Sequence, residues 1–333
     1  MAELRRDPII GRWVIVETDE NSLGVDAYEK ESHSPYQAAI CQFCAGRERQ
    51  TPAEVDAIRF NGSPANTPGW VARVVPNKFP ALKIEGDLDK RGMGIYDISN
   101  GVGAHEVVIE TPDHNKHLAD LTTEEMACVI QLYQNRTVNL AKDRRFKYVM
   151  IFKNYGEAAG TSVEHAHSQI IALPMIPKYV LEELEGARAY YDSRGKCIYC
   201  DMIQQEYSEK VRIILENEML VAFCPFVPRY PFENWILPKE HNSDFATMGD
   251  KERLALAGIL KNILLRMKKV LADPPYNFYL HMAPVNHEKE KSYHWHIEIV
   301  PKLTREAGFE WGTGFYVIQT SPSVAARYLR EIM

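Results

Sequence analysis

Two stretches of the chain repeat apolar residues at helical spacing. Thr122-Thr123-Glu124-Glu125 reads as a capping box before an amphipathic run to about Lys142. Asp250 opens the second run, which Leu254, Leu256, Ile259, Leu260, Ile263, Leu264 and Met267 carry to Leu271 before Pro274 and Pro275 stop it. Both stripes read as core-facing. Short apolar or alternating runs predict strands at 13–16, 71–75, 107–109, 148–152, 170–173, 211–215, 220–223, 235–237, 278–281 and 297–300. Strands outnumber long helices, and 148–152 and 170–173 are joined by a loop alone. This fits an antiparallel meander carrying helices on one face, an α+β fold.

The chain also repeats itself. Cys41-Gln42-Phe43-Cys44, Pro76-Asn77-Lys78-Phe79-Pro80, a Glu106–Pro112 strand ending at His114, and His165-Ala166-His167 follow one another in the first half. Cys197-Ile198-Tyr199-Cys200, Pro228-Arg229-Tyr230-Pro231, a Glu233–Pro238 strand ending at His241, and His294-Trp295-His296 follow in the second. The single His and the HxH are 51 residues apart in the first half (114 to 165) and 53 in the second (241 to 294). Each half also places a predicted helix after its single His. An internal duplication is the reading, with halves 1–187 and 188–333 and the joint near Ala187 to Lys196.

Zinc favours four tetrahedral thiolate and imidazole ligands, and each CxxC supplies two sulfurs able to reach one ion. The set chosen in the first half is Cys41, Cys44, His114 and His165; by the repeat, the second is Cys197, Cys200, His241 and His294. Closed four-ligand sets leave no open position, so both zincs would be structural. A redox pair is the competing reading, but neither CxxC reads as the start of a helix in a βαβ pattern. His281 and His287 lie near the second HxH and leave that set open to alternatives. Cys128 and Cys224 read as buried thiols.

With His165 on metal, His167 is left free. Alternate strand residues share a face, so His165, His167 and Gln169 converge, and a neutral imidazole is a competent nucleophile near pH 7. The preceding loop, from Asn154 through Gly156, Gly160, Thr161 and Ser162, has the small residues of a phosphate cradle. Two surface histidines on an edge strand are the bland alternative. In the second half Lys289, Glu290 and Lys291 precede the HxH, and Glu298 takes the place of Gln169. A carboxylate there would repel phosphate where an amide donates to it, so the first half reads as catalytic and the second as structural or partner-facing.

The 333 residues are 45% hydrophobic and carry a net charge of −6 without a basic stripe, so a nucleic-acid partner is not expected. Charge and proline precede any signal-type apolar run, and no stretch approaches a membrane span; a cytoplasmic protein with no membrane partner is expected.

Together with Arg6-Asp7-Pro8, Arg12-Trp13-Val14, Thr111-Pro112-Asp113-His114 and Tyr230-Pro231-Phe232-Glu233, these motifs make the chain resemble galactose-1-phosphate uridylyltransferase and its relatives in the histidine-triad superfamily over essentially its full length. The resemblance implies two histidine-triad-like halves and a homodimer whose sites borrow residues from the partner. It implies that His167 becomes nucleotidylated, with Gln169 on the phosphoryl oxygens, Ser162 and Asn154 as phosphate contacts and Asn77 near the nucleotide. Backbone N–H groups of Gly160-Thr161-Ser162 would add to charge stabilisation. The implied reaction moves UMP from UDP-glucose to galactose 1-phosphate by ping-pong transfer. Ala166, Ser168 and Thr18-Asp19-Glu20-Asn21, in place of an arginine-rich segment, depart from the classical uridylyltransferase pattern, and the Phe309–Tyr316 segment with the second CxxC is more similar to the ADP-glucose phosphorylase branch and the archaeal-type uridylyltransferases. That branch implies the alternative, adenylyl transfer from ADP-glucose to phosphate or a sugar phosphate. A zinc-stabilised binding protein is a third reading.

Overall fold

The computed structural model describes residues 2–28, 41–285 and 290–332. The chain begins with β1 (Glu3–Arg6) and β2 (Trp13–Val16). It continues through β3 (Asp56–Ile58), β4 (Ala72–Pro76), the hairpin β5 (Arg91–Met93) and β6 (Tyr96–Ile98), β7 (Ala104–Ile109), α1 (Thr123–Leu140), β8 (Tyr148–Tyr155) and β9 (His167–Leu173). Two helices follow, α2 (Lys178–Arg194) and α3 (Ile198–Glu209), and then β10 (Ile213–Glu216), β11 (Leu220–Phe223), β12 (Asn234–Pro238), α4 (Asp250–Val270), β13 (Tyr276–His281) and β14 (His296–Pro301). The last elements are α5 (Gly308–Thr313), β15 (Tyr316–Ile318) and α6 (Pro322–Glu331).

One ten-stranded sheet organises the molecule, in the order β10-β11-β12-β14-β13-β8-β9-β7-β4-β3. Counted inward from either edge, the halves show one topology. β3-β4-β7-β9-β8 repeats as β10-β11-β12-β14-β13, and the copies join through antiparallel β8 and β13, where Tyr155 opposes Tyr276 and Ile151 opposes Leu280. Each copy places its HxH at the start of its fifth strand in chain order, so the duplicated motif has a duplicated address.

One face of the sheet is covered in both halves. The α1 cap is the expected box: Thr122 accepts the Glu125 N–H and Glu125 accepts the Thr122 N–H. The stripes of α1 and α4 pack over Val108, Ile151 and Ile170 from one copy and Ile236, Leu280 and Ile297 from the other, in a single core. Each such fully buried side chain contributes about 1.5–3 kcal/mol.

The opposite face distinguishes the halves, and here the one-sided layer of helices read from the sequence is incomplete. In the second half α2 and α3 seat Val180, Leu184, Ala187, Tyr199 and Ile203 on Val221, Phe223, Trp235 and Leu237. β12 and β14 are therefore buried at every position, whereas β9 alternates buried and half-buried residues after its first two. Residues 187–194 complete α2, which Gly195 ends in the left-handed conformation at φ 69°. A Cβ on Gly186 would lie 1.9 Å from the Ile9 carbonyl oxygen, so glycine alone lets the N-terminal segment lean on this helix.

Candidate active site

The open face of the first half is built around His167. Its Nδ1 lies 2.8 Å from the His165 carbonyl oxygen; that oxygen only accepts, so Nδ1 carries the proton and Nε2 keeps its lone pair. The ring is 8% exposed, and the Phe43 ring packs edge-on against it at 5.5 Å. Burial chiefly, and then the nearby Lys153 ammonium, hold the imidazole down to about 4, against the opposing pull of the His165 carbonyl. His167 is thus a neutral imidazole at pH 7 with one nucleophilic nitrogen.

Beneath it, the first ligand set forms one cluster. Cys41 Sγ lies 3.5 Å from His165 Nδ1, Cys44 Sγ lies 3.5 Å from His114 Nδ1, and the two Nδ1 atoms are 3.2 Å apart. A tetrahedral zinc at ordinary bond lengths requires edges of about 3.5 Å between S and N and about 3.3 Å between N and N, so the donor set fits that ion. His165 Nε2 donates to the Thr111 carbonyl at 2.8 Å, which turns Nδ1 toward the sulfurs. The second set comes together likewise, with Cys200 Sγ 3.6 and 3.7 Å from Nδ1 of His241 and His294, and His294 Nε2 2.9 Å from the Pro238 carbonyl. The second CxxC opens a helix, with Cys197 the N-cap of α3, but not in a βαβ unit: α2 precedes that helix and β10 follows it at the edge of the sheet, antiparallel to β11. His281 joins another cluster, and His287 lies outside the described residues. Cys128 and Cys224 are buried thiols outside both sets.

The loop between β8 and β9 is a tight cradle. Gly156 at φ 82° and Gly160 at φ 88° bracket a single 3-10 turn, and a Cβ on Gly156 would lie 2.7 Å from Pro275. Thr161 Oγ1 donates to the Val163 carbonyl at 3.0 Å, and Ser162 is exposed at the tip. Asn154 Oδ1 accepts from Asn277 Nδ2 at 2.8 Å, which leaves the Asn154 amide nitrogen facing the loop near Gly160. Asn277 comes from the second copy, a contribution that sequence reading missed. Across the same face Gln169 Oε1 lies 2.8 Å from His105 Nε2, and Asn77 Nδ2 lies 3.1 Å from that nitrogen. Asn77 and Gln169 are therefore brought together through His105, which was not singled out either.

The second copy is closed. His296 keeps the same bond, Nδ1 to the His294 carbonyl at 3.0 Å, yet it is fully buried, and Trp235 stacks on it at 5.1 Å. Register makes the replacement plain. Gln169 sits between Val107 and Phe152, while Glu298 sits between Trp235 and Tyr279. Arg229 bonds both Glu298 and Glu233, and Glu183 of α2 enters to meet His281 at 3.0 Å and the Tyr293 hydroxyl at 2.7 Å. Glu183, His281, His296 and Glu298 bring ligand atoms within 4.8 Å of one another, a set that the sequence signalled only through its histidines. Burial alone would depress His281; the Glu183 carboxylate more than offsets it and raises its pKa.

The family description of the galactose-1-phosphate uridyl transferase N-terminal domain matches residues 2–177, and that of its C-terminal domain matches residues 183–313. An ADP-glucose phosphorylase of Arabidopsis thaliana is 35% identical over 99% of this chain and 93% of the relative. A galactose-1-phosphate uridylyltransferase of Thermotoga maritima is 30% identical over 99% of this chain and 98% of its own. Among solved structures, the Arabidopsis ADP-glucose phosphorylase with bound ADP-glucose superposes with a TM-score of 0.83 at 34% identity over 100% of both chains. Among the described residues, no helix is long and apolar enough to cross a membrane.

Proposed function

The chain belongs to the galactose-1-phosphate uridyl transferase family, and on that premise we propose that it moves a uridylyl group between UDP-hexose and hexose 1-phosphate through a nucleotidyl-histidine at His167. The single observation that carries this is the His167 imidazole, neutral, fixed by its Nδ1 and free at Nε2, beside a glycine cradle. Nε2 attacks the α-phosphorus of the nucleotide sugar; the P–N bond forms, the P–O bond to the β-phosphate breaks, and sugar 1-phosphate leaves. The His165 carbonyl meets the positive charge that develops on the ring. An oxygen of the second sugar 1-phosphate then attacks the same phosphorus, the P–N bond breaks, and neutral His167 returns.

Amide donors of Gln169, Asn77 and Asn154, the backbone of Gly160 and Thr161, and Ser162 would hold the non-bridging oxygens, the kind of arrangement that supplies much of the stabilisation in such transfers. Cys41, Cys44, His114 and His165, and likewise Cys197, Cys200, His241 and His294, would each hold a structural zinc. The first ion would fix the strand that carries His167. The working form in this reading is a cytoplasmic homodimer of chains made of two histidine-triad-like halves, 1–187 catalytic and 188–333 structural.

A second reading, adenylyl transfer from ADP-glucose to phosphate or a sugar phosphate, is favoured by one observation: the 35% identical relative is an ADP-glucose phosphorylase. Intact mass spectrometry after mixing with UDP-glucose or ADP-glucose separates the two. A uridylyl adduct mapped to His167 supports the first, an adenylyl adduct alone the second. Turnover by a His167→Gln variant at the wild-type rate would reject both.

A further inference from the structure

His105 is the second residue of β7 and lies half-buried on the open face. The Ala81 backbone N–H sits 3.1 Å from its Nδ1. A backbone N–H can only donate, so Nδ1 holds a lone pair and the proton of the neutral ring is on Nε2. That N–H needs an acceptor, and Gln169 Oε1 lies 2.8 Å away. Once its oxygen is held, Gln169 has only its NH2 group to offer to anything else on this face. Asn77 is oriented the same way. Its Oδ1 accepts the Phe79 N–H at 2.9 Å, so its NH2 faces His105 Nε2 at 3.1 Å; with the Nε2 proton directed at Gln169 both nitrogens are donors and make no bond with each other, which leaves the Asn77 hydrogens for another acceptor. One turn, 77–81, thereby sets the direction of two amides through main-chain donors.

The second copy uses the corresponding place for the corresponding task. Two residues before Trp235, as His105 is two before Val107, stands Glu233, which grips Glu298 through Arg229. In both halves this position holds the residue two beyond the HxH; only in the first half does it leave donors facing outward.

We infer that His105 is a positioning residue that locks Gln169 with its amide donors turned toward the phosphoryl group on His167. An unlocked glutamine would present its carbonyl to phosphoryl oxygens in part of the population, and the lock removes that repulsive orientation. The inference rests on the reading that His167 carries the nucleotidyl group.

The test is a double-mutant cycle read by single-turnover formation of the nucleotidyl adduct, with UDP-glucose and with ADP-glucose. His105→Phe keeps the ring and removes both nitrogens; it should slow adduct formation about 10- to 100-fold, less than the ~10²–10³ seen when an oxyanion donor is deleted outright. In a Gln169→Ala background the same change should cost nothing further, because His105 acts only through Gln169. Additive losses, or a His105→Phe variant as fast as wild type, overturn the inference. Metal content and melting temperature equal to wild type show that the variant folds, and His105→Gln, which retains a donor, should recover part of the rate. Long-range ¹H–¹⁵N spectra of the wild-type protein provide a readout independent of turnover. The His105 signals should show protonated Nε2 and bare Nδ1, and the opposite tautomer rejects the lock. If wild type forms no adduct with either nucleotide sugar, the reaction assigned to His167 falls, and the tautomer alone then decides the lock.

Discussion

Replacing Lys153 by Met should cost about 3–5 kcal/mol, the usual loss when one member of a buried ion pair is removed. Lys153 Nζ lies 2.7 Å from Glu110 Oε2 and 2.9 Å from the His167 carbonyl, and both side chains are almost wholly excluded from water. Burial pushes the Glu110 carboxyl up, and Lys153 is the largest opposing influence. Met fills similar space without the charge, so the variant keeps its packing and leaves a carboxylate unpaired. In thermal unfolding the loss should appear as a fall in melting temperature on the order of 10 °C.

A pH signature separates this cause from a simple packing defect. With Lys153 gone, the folded pKa of Glu110 stands further above its unfolded value, so the native state binds more protons. Stability from such a group is complete below the unfolded pKa and is lost as pH rises toward the folded one, with a slope of at most about 1.4 kcal/mol per pH unit. The penalty of Lys153→Met should therefore be smaller at pH 5 than at pH 8. Adding Glu110→Gln should restore most of the stability, since no buried charge remains. A penalty that is flat from pH 5 to 8, or a double variant no better than the single, would refute the reasoning.

Adduct formation at His167 should stay nearly constant as pH falls from 8 toward 5 and decline only near its pKa of about 4, with more imidazolium below it; an inflection near 6.5 in rapid-quench rates would contradict the burial argument. Cys41→Ser should lower bound metal by one equivalent and slow adduct formation, because Cys41 and Phe43 of one loop hold His165 and pack on His167. Cys197→Ser should also lose one equivalent but spare the rate at a temperature where the protein is folded; equal rate losses in the two variants would remove the distinction between the halves. His281 has a raised pKa, so its pairing with Glu183 stabilises fully below the unfolded value of 6.5 and is lost as pH rises through the folded one. Glu183→Gln should flatten that decline in denaturant midpoints, and an unchanged slope would place its origin elsewhere.

The parts legible in the sequence are those whose signal is local or repeated. Capping chemistry located α1, and the duplicated order of motifs anticipated two similar antiparallel halves, but not that β8 and β13 pair and join them into one ten-stranded sheet. The two Cys/His clusters were readable because each CxxC and HxH announces itself, and His114 and His241 hold the same place in the repeat. His105 and Asn277 were not readable, because their partners Gln169 and Asn154 lie 64 and 123 residues away and nothing nearby marks them. The helices α2 and α3 also escaped. In α2 only Val180, Leu184 and Ala187 are buried, so its apolar stripe is too sparse to stand out from its exposed residues.

In the proposed reading these missed helices decide which copy can act. A duplicated sheet offers two equivalent faces, each with an HxH whose second histidine bonds the carbonyl of the first. In the second copy α2 and α3 lie on that face, and Glu183 joins a buried network in which Glu298, held by Arg229, stands where the other copy has Gln169. A buried carboxylate at that place needs its guanidinium, the buried guanidinium needs Glu298 and Glu233, and α2 and α3 cover that face, so one substitution does not reopen it. Glu298→Gln should accordingly leave Arg229 with a weakened partner and lower stability by a few kcal/mol without creating a second reactive histidine, because His296 still lies beneath Trp235. Adduct mapping on that variant should find His167 alone modified. A nucleotidyl group on His296 would mean that Glu298, and not the helical cover, is what keeps the second copy silent.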